Sequence, residues 1–274
     1  MSKQHTPRIL LVNDDGLDSI GLWAAAQTLK DLGEVTVVAP SRQQSGVGRS
    51  CPTISTGRIE ERECAFDHSV WKGYAVDGTP AQVVQHALLE ILPEPPDLVV
   101  SGINIGENVG DNIGLSGTVG AALEAASLGI AGLAMSLEVQ HLRQLHDPND
   151  LDFSIAAQFA RMFAEMMLSR KMPADVDVLK VDVPHDAAVD TPWQITRLAA
   201  RYHHFDAPLK PRSDWNQKAE TIFHRLDASQ QPGLPDDSDA YVLQVHRKVS
   251  VTPLTLDFSS RIDVNDLESL SAEI

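Results

Sequence analysis

Ile9-Leu10-Leu11-Val12 is apolar at consecutive positions. A strand with one face in water alternates apolar and polar residues, so an unbroken run implies a strand covered on both faces. Leu22, Ala26, Leu29 and Leu32 follow at helical spacing, and Gly33 marks the helix end. Val35-Thr36-Val37-Val38-Ala39 is a second such run, stopped by Pro40. Strand, helix, strand in this order implies a right-handed parallel crossover.

The pattern repeats along the chain. Thr79-Pro80 predicts a helix start, with Thr as cap and Pro at the first helical position, and Pro93 ends that helix. Leu98-Val99-Val100, Leu133-Ala134-Met135 and Val178-Leu179-Lys180-Val181 predict further strands. Ser116-Gly117-Thr118 opens a helix through Ser127, and residues 151–170 carry Ile155, Phe159, Met162, Phe163 and Met166 on an amphipathic helix. Residues 41–75 predict a loop and then short strands. Residues 203–238 are polar and Pro-rich, Tyr241-Val242-Leu243 and Val249-Ser250-Val251 predict short strands, and a terminal helix is expected from Val264. The fold class is α/β, a mostly parallel sheet with helices on both faces. One domain is expected over residues 1–274, with a core at about 8–200 and an extension at about 201–274.

The net charge of −16 argues against binding a nucleic-acid polymer or an anionic membrane, which needs a basic surface. Cys51 and Cys64 are too few for a disulfide framework. No apolar run approaches a membrane span, and the N-terminus lacks the pattern of a signal peptide. A cytoplasmic location is the expectation.

Ligands of doubly wound sheets bind outside the carboxyl ends of the strands. Three strand ends are polar: Asp14-Asp15, Ser41 to Ser50, and Ser101 to Asn108. Adjacent carboxylates repel, and a bound cation relieves that. Oxygen donors suit Mg²⁺, Ca²⁺ or Mn²⁺. The tetrapeptide Asn13-Asp14-Asp15-Gly16 alone reads as a turn with Asx hydrogen bonds, with a cation site as the other reading. Ser116-Gly117-Thr118 offers free amides at a helix start, suited to an anion, or is an ordinary capped helix packed on the sheet. Together they suggest metal-assisted phosphoryl transfer to water. Gly46-Val47-Gly48 is a poor dinucleotide fingerprint, and an aspartyl-phosphate phosphatase would need a second Asp where Gly16 stands. The pair His203-His204 lies in a polar segment and reads as exposed.

The segments ILLVNDDG (Ile9 to Gly16), VVAPSRQQSG (Val37 to Gly46), DGTPA (Asp77 to Ala81), PDLVVSGINIGENVG (Pro96 to Gly110), SGTVGAA (Ser116 to Ala122) and VSVTPL (Val249 to Leu254) resemble the SurE family of metal-dependent nucleotidases, in family order. The resemblance implies a Rossmann-like core and a phosphomonoesterase acting on nucleoside 5′- and 3′-monophosphates with Mg²⁺ or Mn²⁺. It implies Asp14, Asp15, Ser45 and Asn104 as metal ligands, and Asn108, Ser116, Gly117 and Thr118 at the phosphate. Asp14, Asp15 and Asn108 are the implied catalytic residues, with Asp14 orienting or deprotonating the attacking water. It also implies homodimers or homotetramers formed by exchange of C-terminal arms, which the stretch near 203–250 and the tail near 251–274 would supply.

The chain departs from the family at Val47-Gly48-Arg49-Ser50, at Leu115, and in the late strand, where Lys180 and Asp182 stand in place of two Asn. Arg49 reads as a surface charge, with a phosphate contact as the other option. These departures leave a non-catalytic nucleotide-binding module as the alternative function.

Overall fold

The structure is a computed structural model that describes residues 5–145, 147–202, 214–216 and 227–261. Nine strands form one sheet: β1 (Arg8–Val12), β2 (Glu34–Pro40), β3 (Ile59–Phe66), β4 (Ser69–Val76), β5 (Leu98–Ile105), β6 (Gly132–Leu137), β7 (Val178–Val183), β8 (Trp193–Ile195) and β9 (Val249–Leu254). Their order is β3-β4-β2-β1-β5-β6-β7-β9-β8. The pairs from β4 to β7 are parallel, β3 is antiparallel to β4, and β9 is antiparallel to β7. The Rossmann-like α/β class expected from the sequence is the fold observed.

The unbroken apolar runs now have their explanation. Ile9 and Leu11 of β1 join one core with Leu22, Trp23, Phe159 and Phe163, from helices α1 (Ile20–Leu29) and α4 (Ser154–Ser169). Leu10 and Val12 point the other way, into a second core with Val83, Val84, Ala121 and Ala125, from helices α2 (Pro80–His86) and α3 (Gly117–Ser127). Each fully buried aliphatic side chain contributes about 1.5–3 kcal/mol, so both faces drive the sheet into the middle layer.

Local signals set the helix starts. Thr79 and Gln82 form a reciprocal capping box ahead of Pro80, which satisfies two amides that the first turn leaves without partners. Helix α1 stops at Leu29, short of the expected Leu32, and a turn carries the chain to Gly33. In α4 the buried stripe runs through Ala156, Phe159, Ala160, Phe163 and Met167, while Met162 faces outward.

Other expectations need correction. The short strands expected before residue 75 are a hairpin of two eight-residue strands, β3 and β4. Asp67 and His68 both take positive φ at its tip. That is the backbone of a two-residue hairpin loop matched to strand twist, reached here without the usual glycine. Tyr241-Val242-Leu243 is not a strand. It belongs to the short helix α5 (Asp239–Gln244), whose Ala240, Val242 and Leu243 are buried. A three-residue apolar run carries no period, so packing decides its state. The strand expected at Val249-Ser250-Val251 is present as β9, which extends to Leu254 and lies between β7 and β8. The terminal helix from Val264 and the pair His203-His204 lie outside the described residues. Among the described residues no helix is long and apolar enough to cross a membrane.

Candidate active site

The carboxyl ends of β2, β1 and β5 are neighbours, so the polar segments that follow them share one rim. After β1, Asn13 makes the expected Asx turn: its Nδ2 donates to the Gly16 carbonyl at 2.9 Å, and its Oδ1 accepts from the Gly16 amide at 3.2 Å. Gly16 sits at φ +96°, and a Cβ there would lie 3.3 Å from the Pro40 carbonyl oxygen, so the turn rests against the end of β2. The turn and the candidate cation site are therefore the same object.

Asp14 is nearly fully buried. The Thr118 hydroxyl donates to its Oδ1 at 2.6 Å, and the amides of Gly117 and Thr118 face the same carboxylate. A Cβ on Gly117 would lie 2.7 Å from Asp14 Cβ and 2.9 Å from Oδ2, so only glycine allows this approach. The helix start expected to receive a phosphate thus already holds an anion, Asp14 itself. The Ser116 hydroxyl caps the helix by accepting from the Val119 amide at 3.1 Å.

Asp15 has different partners from Asp14. Its Oδ2 accepts from the Ile105 amide at 3.2 Å, and its Oδ1 accepts from Gln43 Nε2 at 3.3 Å. The first ties β1 to β5, and the second ties it to the loop after β2. The Gln44 amide donates to the Asp14 carbonyl at 2.7 Å, which holds the loop that carries the adjoining, exposed Ser45 to the turn of the two acids. Asn104, one residue before Ile105 on β5, donates from Nδ2 to the Gly106 carbonyl at 2.7 Å and leaves its side-chain oxygen for another partner. Asp14, Asp15, Ser45 and Asn104, expected together, are on elements joined by these bonds. Gln43 is an addition that sequence reading missed; its place in a loop of polar residues gave no signal.

The electrostatics of the pair are strained. Burial pushes the Asp14 carboxyl upward, against the Thr118 hydroxyl and the two amides. Burial pushes Asp15 up to about 7, the Asp14 charge adds to it, and the Ile105 amide and Gln43 oppose it. Among the described residues no Lys or Arg pairs with either acid. A hard divalent cation fits this donor set: all oxygen ligands, two of them carboxylates whose mutual repulsion the ion would cancel.

Asn108 is held more firmly than the sequence suggested. Its amide donates to Asp182 Oδ1 at 2.7 Å, and its Nδ2 donates to the Ser136 hydroxyl at 2.9 Å. Arg49 is not a free surface charge: its Nε donates to Glu124 Oε2 at 2.6 Å, and Gln85 donates to the other Glu124 oxygen. The reason is that Glu124, on α3, is buried and needs a cation. This pair and the close approach at Gly120, where a Cβ would lie 2.5 Å from the Gly48 carbonyl oxygen, clamp the loop of Ser45 onto α3.

Farther along the rim, Glu138, His185 and Asp186 bring ligand atoms within 4.8 Å of one another. Arg247 already neutralises them, with Nη2 at 2.7 Å from Glu138 Oε2 and a further contact to Asp186. Among the described residues Asp14 and Asp15 have no such partner, and they are the better cation site.

Comparison with known proteins agrees with the geometry. The family model described as survival protein SurE matches residues 9–204. The chain is 41% identical over 267 residues to the 5′-nucleotidase SurE of Thermococcus gammatolerans, covering 96% of this chain and 95% of that one. It is 39% identical over 273 residues to the 5′-nucleotidase SurE of Methanosarcina mazei, covering 98% and 99%. The crystal structure of the SurE protein from Aquifex aeolicus superposes with a TM-score of 0.76 at 31% identity, covering 97% of this chain and 100% of that one. With the family model matching residues 9–204 and relatives about 40% identical over nearly the whole chain, the chain belongs to the SurE family.

Proposed function

We propose that this protein is a nucleotidase that hydrolyses nucleoside 5′-monophosphates, and 3′-monophosphates as well, to nucleoside and phosphate with the help of one Mg²⁺ or Mn²⁺ ion. The observation that carries the reading is the pair Asp14-Asp15, with Asp14 buried and Asp15 partly buried, which among the described residues has no cationic partner and lies beside the start of α3. Relatives named 5′-nucleotidase SurE support the substrate class.

Asp14, Asp15, Ser45 and Asn104 would hold the ion. When bound, it supplies charge neutralisation for the phosphoryl oxygens and lowers the pKa of water. Asp14 is locked in one orientation by Thr118 and two amides, so it can orient the attacking water and take its proton. The water oxygen bonds to phosphorus, the ester P–O bond breaks, and the departing nucleoside oxygen takes a proton. Asn108 Nδ2 has a second N–H beyond the one given to Ser136, and it points this residue toward a phosphoryl oxygen role. Ser116, Gly117 and Thr118 would act at the phosphate through Asp14, which the Thr118 hydroxyl and the amides of Gly117 and Thr118 hold in place.

The test is phosphate release from AMP, GMP and an aryl phosphate, with Mn²⁺, with Mg²⁺ and with EDTA. EDTA and Asp15→Asn are each expected to slow turnover by about 100-fold or more, since the ion activates water and stabilises charge at once. Undiminished release in EDTA overturns the metal role. Nucleotide binding without release across the whole panel would select a non-catalytic module instead.

A further inference from the structure

Beneath the loop that carries Asn108 lies a charged cluster that plays no part in the reaction above. Lys180 and Asp182 are on β7 and Asp239 opens α5, and all three side chains have no solvent exposure. Lys180 Nζ is 2.5 Å from Asp182 Oδ2 and 3.1 Å from Asp239 Oδ2. Each acid spends its remaining capacity on backbone amides. Asp182 Oδ1 accepts from the Asn108 amide at 2.7 Å. Asp239 Oδ2 accepts from the Gly110 amide at 3.0 Å, and its Oδ1 accepts from the Ala199 amide at 2.9 Å.

The geometry has a plain reading. Asn108 and Gly110 flank the same turn of a loop, and a rigid carboxylate takes the amide of each. Two carboxylates this deep could not both stay ionised alone. A lysine between them makes the arrangement tenable, and charge-assisted bonds to amides are stronger than neutral ones. A buried ion pair adds little net stability compared with apolar packing, so its use lies in fixing geometry.

We propose that Lys180, Asp182 and Asp239 form a positioning unit that fixes the loop from residue 106 to 110, and with it Asn108, for binding the phosphate ester. This rests on the nucleotidase reading, and none of the three residues touches substrate.

The test uses the full chain with Mn²⁺ and AMP. Lys180→Met keeps the length of the side chain and leaves both acids without a cation. Lys180→Met combined with Asp182→Asn restores the net charge of the cluster and keeps an acceptor for the Asn108 amide. KM, kcat, Tm and backbone hydrogen exchange over residues 106–112 are measured for each. Lys180→Met is expected to raise KM by about 10-fold, the factor that a lost 1.4 kcal/mol of substrate positioning gives, and to speed exchange in that segment. The double variant is expected to return KM to within about 3-fold of the parent, the residue of replacing charged by neutral acceptors. A Lys180→Met protein with lower Tm but unchanged KM and unchanged exchange overturns the proposal, since that is all a packing role would do. If Lys180→Met yields no folded protein, Asp182→Ser is read the same way. If the parent chain releases no phosphate, the nucleotidase reading fails, while the exchange measurement still decides the positioning of the loop.

Discussion

Gly117→Ala reverses an ordinary rule and so tests the geometry of the site directly. Alanine in place of glycine within a helix usually stabilises by about 0.5–1 kcal/mol. Gly117 is the first residue of α3, and its φ is that of an ordinary residue. Its added methyl would lie 2.7 Å from Asp14 Cβ, 2.9 Å from Asp14 Oδ2 and 3.0 Å from Pro80 Cγ. Carbon atoms rest at about 3.5–4.0 Å, so α3 or the Asp14 turn must move by roughly 1 Å. Overpacking of this kind costs about 1–3 kcal/mol, and a 1 Å displacement of a catalytic group lowers the rate by about 100-fold. Urea unfolding is therefore expected to show a loss of stability where a gain is normal, and AMP hydrolysis is expected to fall by about two orders of magnitude. Gly114→Ala is the control, because a Cβ there meets nothing within 4 Å. A Gly117→Ala protein as stable and as active as the parent would refute the contact between Asp14 and the helix start.

Asp182 gives a pH signature. Burial raises its carboxyl to about 6, with Lys180 opposing. Its folded value exceeds the unfolded 3.8, so the folded state binds the extra proton and the group's contribution to stability is lost as pH rises from about 4 through about 6. Denaturant unfolding of the parent minus Asp182→Asn is expected to fall over that window, and a flat difference contradicts the assignment. Arg49→Ala leaves the buried Glu124 with Gln85 alone. A loss of about 1–2 kcal/mol in unfolding free energy is expected, below the full figure for a buried pair because Arg49 is partly exposed. No change in stability would return Arg49 to a surface charge.

Much of the architecture was legible because its causes are local. The runs at Ile9 and Val35 announce strands buried on both faces, and Thr79-Pro80 announces a helix start through cap chemistry. The acids of the site were legible too, since Asp14-Asp15 follows a buried strand. What stayed hidden depends on distant partners. Nothing within Tyr241-Val242-Leu243 says helix; the preceding Asp239 is drawn to Lys180 and to the amides of Gly110 and Ala199. Arg49 looked like a solvent charge because Glu124, which it neutralises, is 75 residues away. Asp14 as the occupant of the helix start needed the depth of the turn, which no pattern encodes.

The placement of Asp239 also bears on how the chain matures on the ribosome. Every acid and hydroxyl assigned to the ion or the phosphate has been synthesised by Thr118, yet the brace under Asn108 arrives only with Asp182 and then Asp239. Domains commonly fold from the N-terminal side during translation. A nascent chain halted before α5 would therefore carry the whole chemical inventory around a slack loop, and catalytic competence would come late, with the last of the sheet.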